Sequence, residues 1–179
     1  MSPPTEKDAP EANIAVARLF ATLLLTEPTP RFVEELEQSG AASMLRDLGL
    51  EFPAADDGPA FESLAAGFFE TFVHPLSHSP PVQSLVESGV YEGNAAQSMR
   101  ILAERAGVEF DAGAAFGAPI DHLGCQLLFW GAIGARDPET ARAFAERHLV
   151  WAIPLLTCIS TDTFHGRLAA LVADFLRTL

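Results

Sequence analysis

From Glu11 to the C-terminal leucine, apolar residues recur at steps of three and four in runs separated by proline and glycine. No stretch alternates apolar and polar residues for long. That period is helical, and it restricts the chain to helices packed on helices. The first run, Glu11 to Leu25, places Ile14, Val16, Leu19, Phe20, Leu23 and Leu24 at such steps. Pro28 and Pro30 close it and open the next, because proline is tolerated in a first turn but not inside a helix. Phe32, Val33 and Leu36 form the second apolar face, ended by Gly40, and Met44, Leu45 and Leu48 a short third, ended by Gly49. Phe61 to Val73 follows, with Phe61, Leu64, Phe68, Phe69 and Phe72 facing inward. Ala95 to Ala106 is next, then an apolar helix from Pro119 to Ile133. The segment after Asp137 has the clearest start: Asp137 as N-cap, Pro138 at the first position and Glu139 in the first turn. The last helix, Thr163 to Leu179, is capped by Thr161 or Asp162.

An all-α fold therefore follows, as a single globular helical domain over residues 11–179 behind a disordered tail, residues 1–10. The 179 residues and 49% hydrophobic content suffice for one core without a disulfide or metal staple. The longest irregular stretch is the Pro-rich segment 74–94, a central loop between an N-terminal and a C-terminal helical half. Loops of that length within compact domains are uncommon and are functional or linking.

Charge narrows the partners. Eleven Lys plus Arg against 24 Asp plus Glu leave a formal charge of −13, with no basic stripe, so nucleic acid is an unsuitable ligand. The polar, acidic start is unlike a secretory signal, and the longest apolar runs fall short of the ~20 residues that span a bilayer. A cytoplasmic protein without stable membrane insertion is expected. Only Cys125 and Cys158 are present, which suits a reduced compartment.

Enzyme motifs are absent: there is no nucleophile elbow, phosphate loop, dinucleotide fingerprint or zinc-helix motif. Cys125 lies in an apolar helix, where a thiol is ordinarily a small inert core residue. His122 and Cys125 share a face, but two cysteines and five dispersed histidines do not make a structural zinc set. No catalytic residue, metal or resident cofactor is expected. The informative stretch is APIDHLGCQLLFW, where Pro119 at the first helical position would put Asp121 in the first turn, at the positive helix end. An acid and a histidine at a helix mouth, a long Pro-rich loop and an acidic chain together point to a peptide groove.

PIDHLGCQLLFW resembles the Asp-His-Leu helix start of the TorD/DmsD family, cytoplasmic chaperones for molybdenum enzymes exported by the twin-arginine route. SPPVQS is similar to that family's Pro-Pro-x-x-Ser segment, RHLVWAIPLL to its His-Leu-x-x-Trp region and FHGRLAALVADFL to its final helix. Order and spacing are kept from about Glu11 onward. The chain departs from many relatives at Gln126 (often Glu), Trp130 (often Met) and Val82 (often aromatic). The nitrate-reductase chaperone branch is similar in fold.

The resemblance implies a chaperone that binds the twin-arginine signal peptide of an apo-form molybdenum-cofactor reductase and delays export until the cofactor is in place. Carried over by motif, the peptide-binding residues are Pro80, Pro81 and Ser84 from the loop and Pro119, Asp121 and His122 from the helix start. Gln126 joins them by spacing, one turn beyond His122. Asp121 would supply charge or orient His122, and His122 would donate to a leader carbonyl or switch near its ordinary pKa of about 6.5. The resemblance also implies a monomer able to form a domain-swapped dimer through the central loop. The competing reading is a helical scaffold binding another protein without preference for a leader.

Overall fold

Capping residues and breakers set the helix boundaries. The computed structural model describes residues 9–74, 80–110 and 117–179. Among these, ten α-helices and one π-helical turn account for the regular structure, and no strand is present. They are α1 (Ala9–Leu25), α2 (Pro30–Ser39), α3 (Ala41–Asp47), α4 (Gly58–Phe68), which runs into the π turn Phe69–Val73, α5 (Gln83–Ser88), α6 (Asn94–Ala106), α7 (Leu123–Gly134), α8 (Pro138–His148), α9 (Ala152–Thr157) and α10 (Phe164–Leu176). The fold is all-α.

The caps are chemically ordinary. Thr29, Asp57, Asp137 and Thr163 each accept a hydrogen bond from the backbone N–H three residues on. Thr163, rather than Thr161 or Asp162, is thus the cap of the last helix. Gly40 and Gly107 end α2 and α6 with left-handed φ values of 80° and 63°, a conformation glycine adopts without a Cβ penalty.

α7 is the axis of the molecule. It is apolar on every side, and most of its side chains are buried, as a helix enclosed by others must be. α1 lies along one side of it and α8 along another, while α9 and α10 pack on each other. Contact between α1 and α7 is close because Gly124 has no side chain. A Cβ there would sit 2.6 Å from Leu25 Cγ. Edge-on rings tie α10 to both helices: Phe175 meets Phe20 of α1 at 5.6 Å and Trp130 of α7 at 6.2 Å between centroids.

Several boundaries differ from those the periodicity predicts. α1 begins at Ala9, two residues inside the expected tail; residues 1–8 lie outside the described ones. The tract 74–94 is not an open loop where it is described: residues 83–88 form α5 and Asn94 begins α6. Residues 75–79, with His78, lie outside the described ones. Phe69, expected inward, is 51% exposed, because α4 gives way there to the π turn while Phe68 and Phe72 stay buried. The helix expected from Pro119 starts at Leu123 instead, for a reason given below.

Gly166 marks the tightest backbone approach. It lies in the first turn of α10 against the loop from α9, and a Cβ there would fall 1.7 Å from the carbonyl oxygen of Ser160. Backbone cannot yield as a flexible side chain can. Gly166→Ala is therefore expected to cost about 3 kcal/mol or more in urea denaturation. Gly58→Ala, where a Cβ meets nothing within 4 Å, should stay within about 0.5 kcal/mol. Equal, small effects at both positions would show that the close approach is not kept in solution.

Candidate peptide-binding site

The segment around Pro80–Ser84 and the segment around Pro119–Leu123 meet as two short extended stretches. Val82 and His122 form an isolated antiparallel bridge. The Gln83 N–H donates to the Asp121 carbonyl at 3.0 Å, and the Leu123 N–H to the Pro81 carbonyl at 2.7 Å. This pairing is why α7 starts late. The Asp121 carbonyl and the Leu123 N–H are given to the neighbouring segment, and His122, extended at φ −67° and ψ 139°, becomes the N-cap.

Asp121 consequently does not stand in its own helix's first turn. It is fully buried, and its Oδ2 accepts the Ser84 N–H at 2.8 Å, so it caps α5 across the bridge. Its other carboxylate oxygen is buried without a hydrogen-bond partner among the described residues. Ser84 is buried too, and its hydroxyl accepts the Ala96 N–H at 3.3 Å, which fixes the start of α6. At Gly93 a Cβ would press on this serine at 3.1 Å.

Gln126, also fully buried, belongs to an amide chain that continues from the bridge. Its Nε2 donates to Gln83 Oε1 at 2.7 Å, and its Oε1 accepts from Trp151 Nε1 at 3.0 Å. Gln83 in turn donates to Glu87 at 2.7 Å and lies 3.1 Å from His148 Nδ1. Since Gln83 Oε1 is an acceptor, His148 presents Nδ1–H to it. Burial first, then the neighbouring Arg147 charge, lowers the His148 pKa. Helices α5, α7 and α8 and Trp151, just before α9, are thus joined by satisfied buried polar groups.

The seven residues singled out by sequence therefore come together, but not at one depth. Pro80, Pro119 and His122 line a cavity of about 400 Å³, whereas Pro81, Ser84, Asp121 and Gln126 are buried and do not line it. The rest of the wall includes Leu24, Phe68, Phe72 and Tyr91, and Glu27 is its one charged residue. Sequence reasoning missed Glu27 and Tyr91. Glu27 follows a helix end with no motif around it, and Tyr91 looked like part of a featureless loop. Exposed apolar side chains are frequent on the segments that flank the cavity. Five of the nine large apolar residues most exposed among the described ones, Phe69, Val73, Val86, Val90 and Tyr91, fall in the π turn, in α5 and in the turn that follows it. Val73 and Tyr91 line the cavity themselves, and exposed apolar surface at a cavity marks interaction sites.

His122 cannot serve as a switch near neutral pH, contrary to the sequence expectation. Burial lowers its pKa to about 4, against an opposing pull from the Asp121 carboxylate. Its Nδ1 accepts the Gly124 N–H at 3.1 Å, so the neutral ring carries its proton on Nε2. Nor does Asp121 orient it, since its Oδ2 accepts from Ser84 and its Oδ1 has no hydrogen-bond partner among the described residues. Cys125 is wholly buried, and burial together with the Asp121 charge pushes its thiol up to about 12, so it is an inert core group. Among the described residues, no three His, Cys, Asp or Glu are grouped to hold a metal ion. No helix is long and apolar enough to cross a membrane among the described residues.

Burial of histidine makes the fold acid-sensitive. His165, packed between Phe68, Phe72 and Phe164, is also lowered to about 4 by burial. The unfolded chain, with histidines near 6.5, takes up more protons between these two values. Stability is therefore full above about pH 6.5 and falls as the pH drops towards 4. Each such histidine costs about 3 kcal/mol below both values. Urea denaturation between pH 7 and 4 should show this loss, with a shallower slope for His165→Leu. An unchanged slope in that variant would contradict the assignment.

No family model matches the chain, and no curated protein matches it. Among solved structures, it is similar along its whole length to a candidate redox enzyme maturation protein of Archaeoglobus fulgidus, with a TM-score of 0.59 at 17% identity. The match covers 99% of this chain and 97% of the other. At that identity the likeness is one of fold: the chain has the all-helical architecture of that protein.

Proposed function

We propose that the protein is a redox-enzyme maturation chaperone of the TorD/DmsD kind, acting in the cytoplasm as a monomer. It binds the twin-arginine leader of an apo-form molybdenum enzyme and holds it until folding and cofactor insertion are complete. Its role is binding and not catalysis. The observation that carries this reading is the composition of the cavity under Pro80 and Pro119: an apolar wall, exposed apolar residues outside it, and a single carboxylate, Glu27, at the edge. A leader with two arginines followed by an apolar stretch has the complementary pattern. Similarity of fold to a candidate maturation protein and the four sequence resemblances point the same way.

The roles divide by depth. Glu27, being exposed, can take an arginine guanidinium in a charge-assisted bond. His122, neutral, offers its Nε2–H to a peptide carbonyl at the cavity wall. Pro80 and Pro119 stiffen the two lips and reduce the ordering cost of binding. Asp121, Ser84, Pro81 and Gln126 are positioning residues: they hold the lips at a fixed distance and do not touch the leader.

Calorimetric titration with twin-arginine leader peptides, beside versions with both arginines changed to alanine, tests this. The intact leader should bind more tightly. Glu27→Gln should cost it about 1 kcal/mol, roughly fivefold in affinity, while leaving the alanine version unaffected. No heat with any leader, or equal binding of both versions, would refute the proposal in favour of a helical scaffold for another partner.

A further inference from the structure

A second cavity, larger and of opposite sign, lies on another side of α7. It has a volume of about 640 Å³ and separates α6 from the α7–α8 pair. Its walls are two helical stripes. Ser98, Ile101, Leu102, Arg105 and Ala106 face it from α6, and Thr140, Ala143, Phe144, Arg147 and His148 from α8. Both sets follow the spacing i, i+3, i+4, i+7, i+8, which is one continuous helix face. Phe129 and Ile133 of α7 form the floor. At one end Ser98 Oγ lies 3.5 Å from His148 Nε2, so the walls touch there and run antiparallel away from that contact.

The rim is basic in a protein of charge −13. Five of the ten arginines are ion-paired among the described residues: Arg31, Arg46, Arg100, Arg142 and Arg177. Of the other five, Arg105, Arg136 and Arg147 surround this cavity, all three exposed. The one acidic residue in its lining, Asp137, is committed to capping α8 through Thr140. The charges are also spread along the groove. Arg147 adjoins His148 at the closed end, and Arg105 is seven residues along α6 from Ser98, about 10 Å away. A single head group cannot reach both. Two carboxylates seven residues apart on one helix can.

We propose that the groove between α6 and α8 binds an amphipathic helix of a protein partner whose apolar stripe is flanked by carboxylates two turns apart. The apolar stripe fills the space over Phe129 and Ile133, as a further helix in the bundle would. The two acids meet Arg147 and the Arg105–Arg136 pair. A twin-arginine leader is repelled here, so this site does not depend on the leader reading and stands if that reading fails.

The probe is a fluorescein-labelled designed peptide about 16 residues long, enough to hold a helix, with a leucine stripe and two glutamates seven residues apart. A control carries lysine for both glutamates. In fluorescence anisotropy with the full-length protein at low salt, the glutamate peptide should bind about tenfold more tightly than the lysine peptide, with the difference shrinking as salt is added. Arg105→Glu/Arg147→Glu should reverse that preference. Ala143→Trp, at an exposed wall position, should weaken both peptides by filling the groove. Absent binding, equal affinity for the two peptides, or affinity indifferent to Ala143→Trp would overturn the proposal. So would dodecanoate occupying the groove, by loss of its binding in Ala143→Trp, while neither peptide binds.

Discussion

The arrangement of the molecule around α7 depends on one buried carboxylate. Asp121 accepts the Ser84 N–H and, with the backbone pairs on either side of it, locks residues 81–84 against residues 121–123. A charged group without solvent is costly, and one of its oxygens has no partner among the described residues. What offsets the cost is position. α5 is only six residues long and has no cap of its own, so without Asp121 its first turn would have an unsatisfied N–H in the interior. Ser84, held in this way, fixes Ala96 and the start of α6, while Gln83 reaches Gln126 and His148. The orientation of α6 relative to α7 and α8 thus traces back to the same contact.

That orientation produces two cavities with different chemistry. On one side the lips Pro80 and Pro119 stand over an apolar wall with Glu27 at the edge. On the other, α6 leaves a space over α7 rimmed by three arginines. A chain with so large an excess of acid would be expected to show one sign everywhere. Concentrating three of its uncommitted cations at one groove separates the two surfaces electrostatically, so ligands suited to one are disfavoured at the other.

Local chemistry made most helices legible. Asp137 with Pro138, Pro30 at the start of α2, and the breaks at Gly40 and Gly107 are local signals, and the structure keeps each of them. What was not legible depends on contacts distant in sequence. Asp121 follows a proline before an apolar run and looks like the first turn of α7; only the backbone of residues 81–83, 38 or more positions away, moves that start to Leu123. α5 was invisible because six residues carry no period, and its cap comes from Asp121. The candidate site shows the same division. Motifs single out six of its seven residues and helical spacing adds Gln126, but their depth is not legible, since polar residues such as Ser84 and Gln126 give no sign in sequence of being buried. Glu27 and Tyr91 belong to no motif and enter the cavity only through the packing of α1 and of the turn after α5.

If the Asp121 bridge is what holds the site, the amides it secures must be among the most protected in the protein. Native-state hydrogen exchange of the Gln83, Ser84 and Leu123 N–H groups measures this directly. Protection close to that of the α7 core amides, falling selectively at Ser84 and Gln83 in Asp121→Asn, is the predicted result. Exchange of these three amides at the rate of exposed loop positions would show that the two segments are not locked together, and that the cavity they define is not a standing feature of the fold.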